Sequence, residues 1–97
     1  VISGNNFSKS IPTSLGKLTK LKVLDLSTNY FTGSIPDFIG NNLTELEELY
    51  LYDNQLEGSI PETLLQLKEL RVLTLSENQL TGPIPDSIEN LSKLEFL

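Results

Sequence analysis

Residues 21–36 read LKVLDLSTNYFTGSIP, and the order Leu21, Leu24, Leu26, Asn29, Phe31, Gly33, Ile35, Pro36 decides how the chain folds. The same order returns as LEELYLYDNQLEGSIP at 46–61 and LRVLTLSENQLTGPIP at 70–85, and a truncated copy ends at Ile11-Pro12. Aligning the copies on Asn5, Asn29, Asn54 and Asn78 gives intervals of 24, 25 and 24 residues. One unit therefore accounts for nearly the whole chain, as a partial repeat 1–20, repeats 21–45, 46–69 and 70–93, and a partial repeat 94–97.

Within a unit the apolar period changes. Leu24 and Leu26 alternate with Val23, Asp25 and Ser27, which predicts a short strand with the leucines on one side and the variable residues on the other. After a turn at Ser27–Asn29 come Phe31 and Ile35. Leucines then follow at steps of three, as in Leu15, Leu18, Leu21 and Leu64, Leu67, Leu70, a spacing suited to a 3₁₀ or short helical return. Pro36 and its equivalents suit the first turn, where a missing N–H costs nothing, and Asp37, Glu62 and Asp86 suit the positive helix end. The extra residue of the second interval falls at Asn41-Asn42, where the expectation is an outward loop.

One such unit cannot bury its apolar residues alone, so the units must stack. Stacking puts Leu24, Leu49 and Leu73 in one column, Leu26, Leu51 and Leu75 in a second, and Phe31, Leu56 and Leu80 in a third, at about 4.8 Å per coil. Asn5, Asn29, Asn54 and Asn78 recur where the chain leaves the strand. They are expected to form an asparagine ladder, each amide donating to a carbonyl of the next coil and accepting from a backbone N–H. Gly33, Gly58 and Gly82 call either for positive φ or for a close backbone approach, and Lys9 stands where the first coil lacks that glycine.

Composition narrows the function classes. The 97 residues are 38% hydrophobic and 21% charged, a globular balance, with a net charge of −6 that disfavours nucleic acid as a partner. There is no Cys and no His, hence no thiol or imidazole for catalysis and no disulfide. No run approaches the roughly 18 apolar residues of a membrane span. Since Val1 and Leu97 both fall inside repeats, the expectation is a segment of a longer repeat protein, marginal or self-associating through its open edges when isolated.

The side chains left free by the repeat define the candidate site. These are Val23, Asp25, Ser27, Thr28, Glu48, Tyr50, Tyr52, Asp53, Val72, Thr74, Ser76 and Glu77, four of them acidic and none basic. A partner-binding face centred on Tyr50, Tyr52 and Asp53, flanked by Asp25, Glu48, Thr74 and Glu77, fits a basic or hydroxyl-rich partner, because exposed tyrosines give large contact area at low entropy cost. Asp53 and Glu77 share a column at a carboxylate-pair spacing, but an open sheet edge supplies no desolvated pocket to raise one pKa, so no enzyme activity, cofactor or metal is expected. Sequons at Asn6, Asn42 and Asn90 are candidate glycosylation sites. An outward Ser8, Thr32, Thr81 series suggests an ice-binding array as a remote alternative, although Glu57 interrupts it.

The unit, with TGSIP at 32–36, EGSIP at 57–61 and TGPIP at 81–85, resembles the plant-type leucine-rich repeat of receptor kinases, receptor-like proteins and polygalacturonase-inhibiting proteins. That resemblance implies an α/β solenoid, a right-handed superhelix with a concave parallel β-sheet, short 3₁₀ or helical convex segments and a second short-strand set near Gly-x-Ile-Pro. It also implies an extracellular, apoplast-facing setting with N-glycans. The function it implies is recognition of a protein or peptide ligand, with a co-receptor, by a receptor ectodomain. The alternative is a soluble polygalacturonase-inhibitor-like defence protein binding a pathogen or cell-wall-derived partner.

Overall fold

The computed structural model describes residue 4, residues 8–82 and residues 95–96. Expectations for Asn5, Asn6, Asn90, Ile84-Pro85 and Asp86 lie outside the described residues.

The period-two stretches form the strands β2 (Val23–Asp25), β4 (Glu48–Tyr50) and β6 (Val72–Thr74), and with β8 (Glu95–Phe96) they make a parallel sheet in the order β2-β4-β6-β8. The register is that of the repeat: Leu24 pairs with Leu49 and Leu49 with Leu73, while Asp25, Tyr50 and Thr74 share a row. Successive coils thus add one strand each, and the solenoid is a stack held by main-chain bonds on one side. A second set of two-residue strands flanks the turns: β1 (Ser8–Lys9) pairs with β3 (Tyr30–Phe31), and β5 (Glu57–Gly58) with β7 (Gln79–Leu80).

The apolar columns close the interior. Leu24, Leu26, Leu49, Leu51, Leu73 and Leu75 are buried behind the sheet, with Phe31, Ile35, Ile39, Leu43, Leu46, Leu56, Leu64, Leu67 and Leu70 filling the rest. Burying a leucine side chain contributes about 1.5–3 kcal/mol, so these columns supply the main driving force. Leu18 departs from the expectation. It is 49% exposed, whereas Leu43 and Leu67 at the same position of later coils are 0% and 1% exposed. Leu43 has a described return on both sides, at Thr13–Lys17 and Glu62–Gln66, while none among the described residues covers the outer side of Leu18.

The convex returns are 3₁₀ turns at Thr13–Lys17 and Glu62–Gln66. Pro12 and Pro61 stand at the cap in extended conformation rather than inside the first turn, so that each carbonyl accepts the first i→i+3 bond, from Leu15 N and Leu64 N. The second return is different. Asn41-Asn42 does not bulge outward as a loop but is taken up in a five-residue α-helix, α1 (Phe38–Asn42), with Asn41 N bonding Asp37 O and Leu43 N bonding Ile39 O. An α turn uses 3.6 residues where a 3₁₀ turn uses 3.0, so a change of helix type absorbs the additional residue.

Two glycine questions are resolved here. Gly33, Gly58 and Gly82 have φ of 79°, 82° and 80°, and a Cβ on any of them would meet its neighbour no closer than 3.5 Å, so positive φ is the requirement. Lys9 adopts the same left-handed conformation at φ 72°, so the backbone keeps its path at that position and the lysine carries the strain. Close approach instead governs Gly40, where a Cβ would fall 2.1 Å from the Thr63 carbonyl oxygen.

Candidate functional site

The exposed side of the sheet is built by alternation: wherever Leu24, Leu49 and Leu73 turn inward, their neighbours turn outward. Val23 and Tyr52 are exposed, Asp25, Glu48, Tyr50 and Val72 half-buried, and Thr28, Asp53, Ser76 and Glu77 exposed. The structure therefore brings Asp25, Glu48, Tyr50 and Tyr52 onto one face, while Asp53 and Glu77 are exposed in the turns that follow β4 and β6. Two of the expected outward residues are covered. Ser27 is 1% exposed because the strand ends at Asp25 and the chain turns, its N–H and Oγ both donating to Asp25 Oδ1 at 3.0 and 2.6 Å. Thr74 is 7% exposed, a short side chain beside the longer Tyr50 in its row, and its Oγ1 has no hydrogen-bond partner among the described residues.

Thr28, Asp53 and Glu77 close the turn after each strand at φ 55°, 60° and 59°. This left-handed conformation was not anticipated for them. The signal was legible in the first coil, where Gly4, at φ 69°, occupies the equivalent position.

A charge network crosses the face. Tyr50 Oη donates to Glu48 Oε1 at 2.5 Å, and Glu48 Oε2 accepts from Arg71 Nη2 at 2.7 Å. Arg71 Nε lies 3.8 Å from Glu47 Oε1, and Lys22 Nζ lies 3.6 Å from Glu47 Oε2. The hydrogen bond to Glu48 raises the Tyr50 pKa above 10.0. Desolvation and the negative charges of Glu48 and Asp25 add to that shift, and Arg71 opposes it. The twelve free positions hold no cation, but Lys22 and Arg71 reach the acidic side chains from the position just before the strands. Lys22, Glu47 and Arg71 occupy one position just before successive strands, and this plus-minus-plus column was visible in the aligned repeats.

The asparagines bind backbone, as expected, but toward the preceding coil. Asn54 Nδ2 donates to Leu26 O at 3.0 Å and Oδ1 accepts from Phe31 N at 3.1 Å. Asn78 repeats this with Leu51 O at 2.8 Å and Leu56 N at 3.0 Å. The direction follows from the turn, which carries each amide back over the coil already laid down. Asn29 donates to Leu26 O and Ser27 O of its own coil. On the convex side Asn42 is exposed, as a sequon residue must be, with its Nδ2 3.4 Å from Gly16 O.

Two models of the leucine rich repeat family match residues 19–80 with 44–97, and residues 1–18. Receptor-like protein 39 of Arabidopsis thaliana is 48% identical over 59% of the chain, and the chain spans only 6% of its length. Among solved structures, PEPR1-AtPEP1 is 51% identical over 98% of this chain and 13% of its own, with a TM-score of 0.91. The ectodomain of the Arabidopsis receptor kinase HAESA, in complex with an IDA peptide hormone ligand, is 41% identical over 98% of this chain and 16% of its own, with a TM-score of 0.89. A plant ice-binding protein is 37% identical over 92% of this chain and 31% of its own, with a TM-score of 0.82.

Proposed function

Because the chain belongs to the plant-type leucine-rich repeat family, we propose that its coils are part of an extracellular ligand-recognition surface, in which the concave sheet binds a protein or peptide through Asp25, Glu48, Tyr50, Tyr52, Asp53, Thr74 and Glu77. The observation that carries this reading is the arrangement of Tyr50 and Tyr52 on β4 and just beyond it. One ring is held by Glu48 and Arg71 and the other is 38% exposed, on a face whose leucines are all committed to the core. An aromatic side chain already fixed in place loses little freedom on binding. Structural relatives include a receptor ectodomain bound to a peptide hormone, which favours a peptide over a carbohydrate.

The competing lateral surface is less suited to a task of its own. Ser8, Thr32 and Thr81 are exposed, but Glu57, also exposed, breaks the array that an ice lattice would need. Glycosylation at Asn42 is part of the same proposal, since a glycan there would leave the concave sheet open.

Panning a random dodecapeptide library against the chain tests the reading. Enriched peptides are expected to lose binding to a Tyr50→Ala/Tyr52→Ala variant. Enriched peptides that bind this variant as well as the parent would overturn it.

A further inference from the structure

The network at the start of the strands draws its residues from three successive coils. Lys22, Glu47 and Arg71 stand one position before β2, β4 and β6, and their backbones are tied to one another. Glu47 N donates to Lys22 O at 2.7 Å, and Arg71 N to Glu47 O at 2.8 Å. Their side chains link in the same order, Lys22 Nζ to Glu47 Oε2 at 3.6 Å and Arg71 Nε to Glu47 Oε1 at 3.8 Å. The contacts then run onto the face itself: Arg71 Nη2 donates to Glu48 Oε2 at 2.7 Å, and Tyr50 Oη donates to Glu48 Oε1 at 2.5 Å.

Glu48 gives one carboxylate oxygen to each neighbour. A carboxylate held on a single oxygen still swings about its broad terminal torsion, whereas one held on both, by a guanidinium and a phenol, has its plane set. The Tyr50 hydroxyl is thus fixed through a residue of the next coil, since Arg71 lies 23 residues beyond Glu48. Tyr52 shares none of these bonds. The Arg71 and Lys22 side chains are 52% and 64% exposed, and ion pairs at exposed positions contribute little to folding stability. The consequence of the network therefore falls on the ring at its end.

Resting on the concave-face reading above, we infer that Arg71, backed by Glu47 and Lys22, is a positioning residue for ligand recognition, and that it acts by fixing the Glu48 carboxylate on which the Tyr50 ring depends. A ring already held in one rotamer loses less freedom on binding, which is how a residue without ligand contact changes affinity. Affinity for a partner seated on Tyr50 is thereby tied to three coils. It is tied to ionic strength as well, even where the partner is uncharged, because salt screens the links behind the ring.

Two measurements test this. In the ¹³C,¹⁵N-labelled chain, side-chain couplings are expected to show Tyr50 in one χ1 rotamer, averaging in Arg71→Gln while Tyr52 stays as it was. The binding probe is a library-selected dodecapeptide that carries no charged residue and loses binding to Tyr50→Ala. It should bind Arg71→Gln about threefold more weakly than the parent, with Glu47→Gln in between. Lys20→Gln/Glu45→Gln should match the parent, since that ion pair, at 3.5 Å, stands apart from the network. Between about 0.01 M and 1 M salt the Debye length falls from about 30 to 3 Å, and the parent's advantage over Arg71→Gln should close. A single Tyr50 rotamer in Arg71→Gln, or equal affinity of the two chains for the probe, would overturn this inference alone. Selected peptides indifferent to Tyr50→Ala would overturn the concave-face reading and this inference with it.

Discussion

Asn54 donates its side-chain amide to the carbonyl of Leu26, 28 residues earlier in the chain and one coil away, at 3.0 Å. The same side chain accepts from Phe31 N and donates again to Leu51 O within its own coil. One residue thus serves backbone groups on both sides of a coil boundary that the turn itself leaves unpaired. Asn54→Ala strips all of these partners in a site 8% exposed and should cost about 1–3 kcal/mol, read from chemical denaturation. A smaller loss would mean that water reaches the turn.

Gly40 gives a sharper test of how tightly the coils stack. Its absent Cβ would lie 2.1 Å from Thr63 O and 2.7 Å from Leu64 N, both backbone atoms that cannot swing aside. Gly40→Ala is expected to destabilise by about 3 kcal/mol or more, lowering the melting midpoint. Gly16→Ala should be milder, because its Cβ would meet side chains only, Asn42 Nδ2 at 3.0 Å and Phe38 Cδ1 at 3.2 Å.

The left-handed residues point the other way, toward stabilisation. Lys9 at φ 72° and Thr28 at φ 55° hold a conformation costing about 1–2 kcal/mol for an L-residue. Lys9→Gly and Thr28→Gly should each raise stability by several tenths to about 1 kcal/mol, the gain being reduced by the freer unfolded chain. Lys9→Ala, which keeps the Cβ, should give no comparable gain in the same denaturation experiment.

Tyr50 offers a pH-dependent signature. Glu48 favours its protonated phenol, so the folded-state pKa stands above that of the unfolded chain. The Tyr50–Glu48 contribution to stability is therefore complete below about pH 10 and is lost as the pH climbs through the raised value. Ultraviolet titration of the folded chain should show one phenol ionising late. Glu48→Gln should bring it back toward 10.0, and Arg71→Gln should delay it further, since Arg71 is the group that opposes the shift.

What could be read before folding was whatever a single unit repeats. The alternation of Leu24 and Leu26 fixes a strand, and once units stack in phase the pairing of Leu24 with Leu49 and Leu73 is inevitable. The outward positions of Glu48, Tyr50 and Tyr52 follow from the same alternation, whereas Asp53 and Glu77 are exposed because they stand in the left-handed turns that follow it. Features that depend on one coil's individual neighbours were hidden. Ser27 is held by its bonds to Asp25, Thr74 is buried within its row, and Glu48 accepts from Arg71 of the next coil, a pairing across coils that no single unit displays. The Asn41-Asn42 insertion was misassigned because hydrophobic spacing alone does not separate a short loop from a switch between i→i+3 and i→i+4 bonding.

The bare Cα of Gly40 has an effect reaching beyond its own helix. An arc opens or closes according to the ratio of its outer length to its inner length, and here the inner length is set by strand pairing. By letting the wider α1 nestle against the Glu62–Gln66 turn, the missing methyl keeps the outer length short. A methyl added at the back would fan the coils apart there while the paired strands at the front keep their spacing, so the solenoid would bend more sharply at the step from β4 to β6 without either strand being touched.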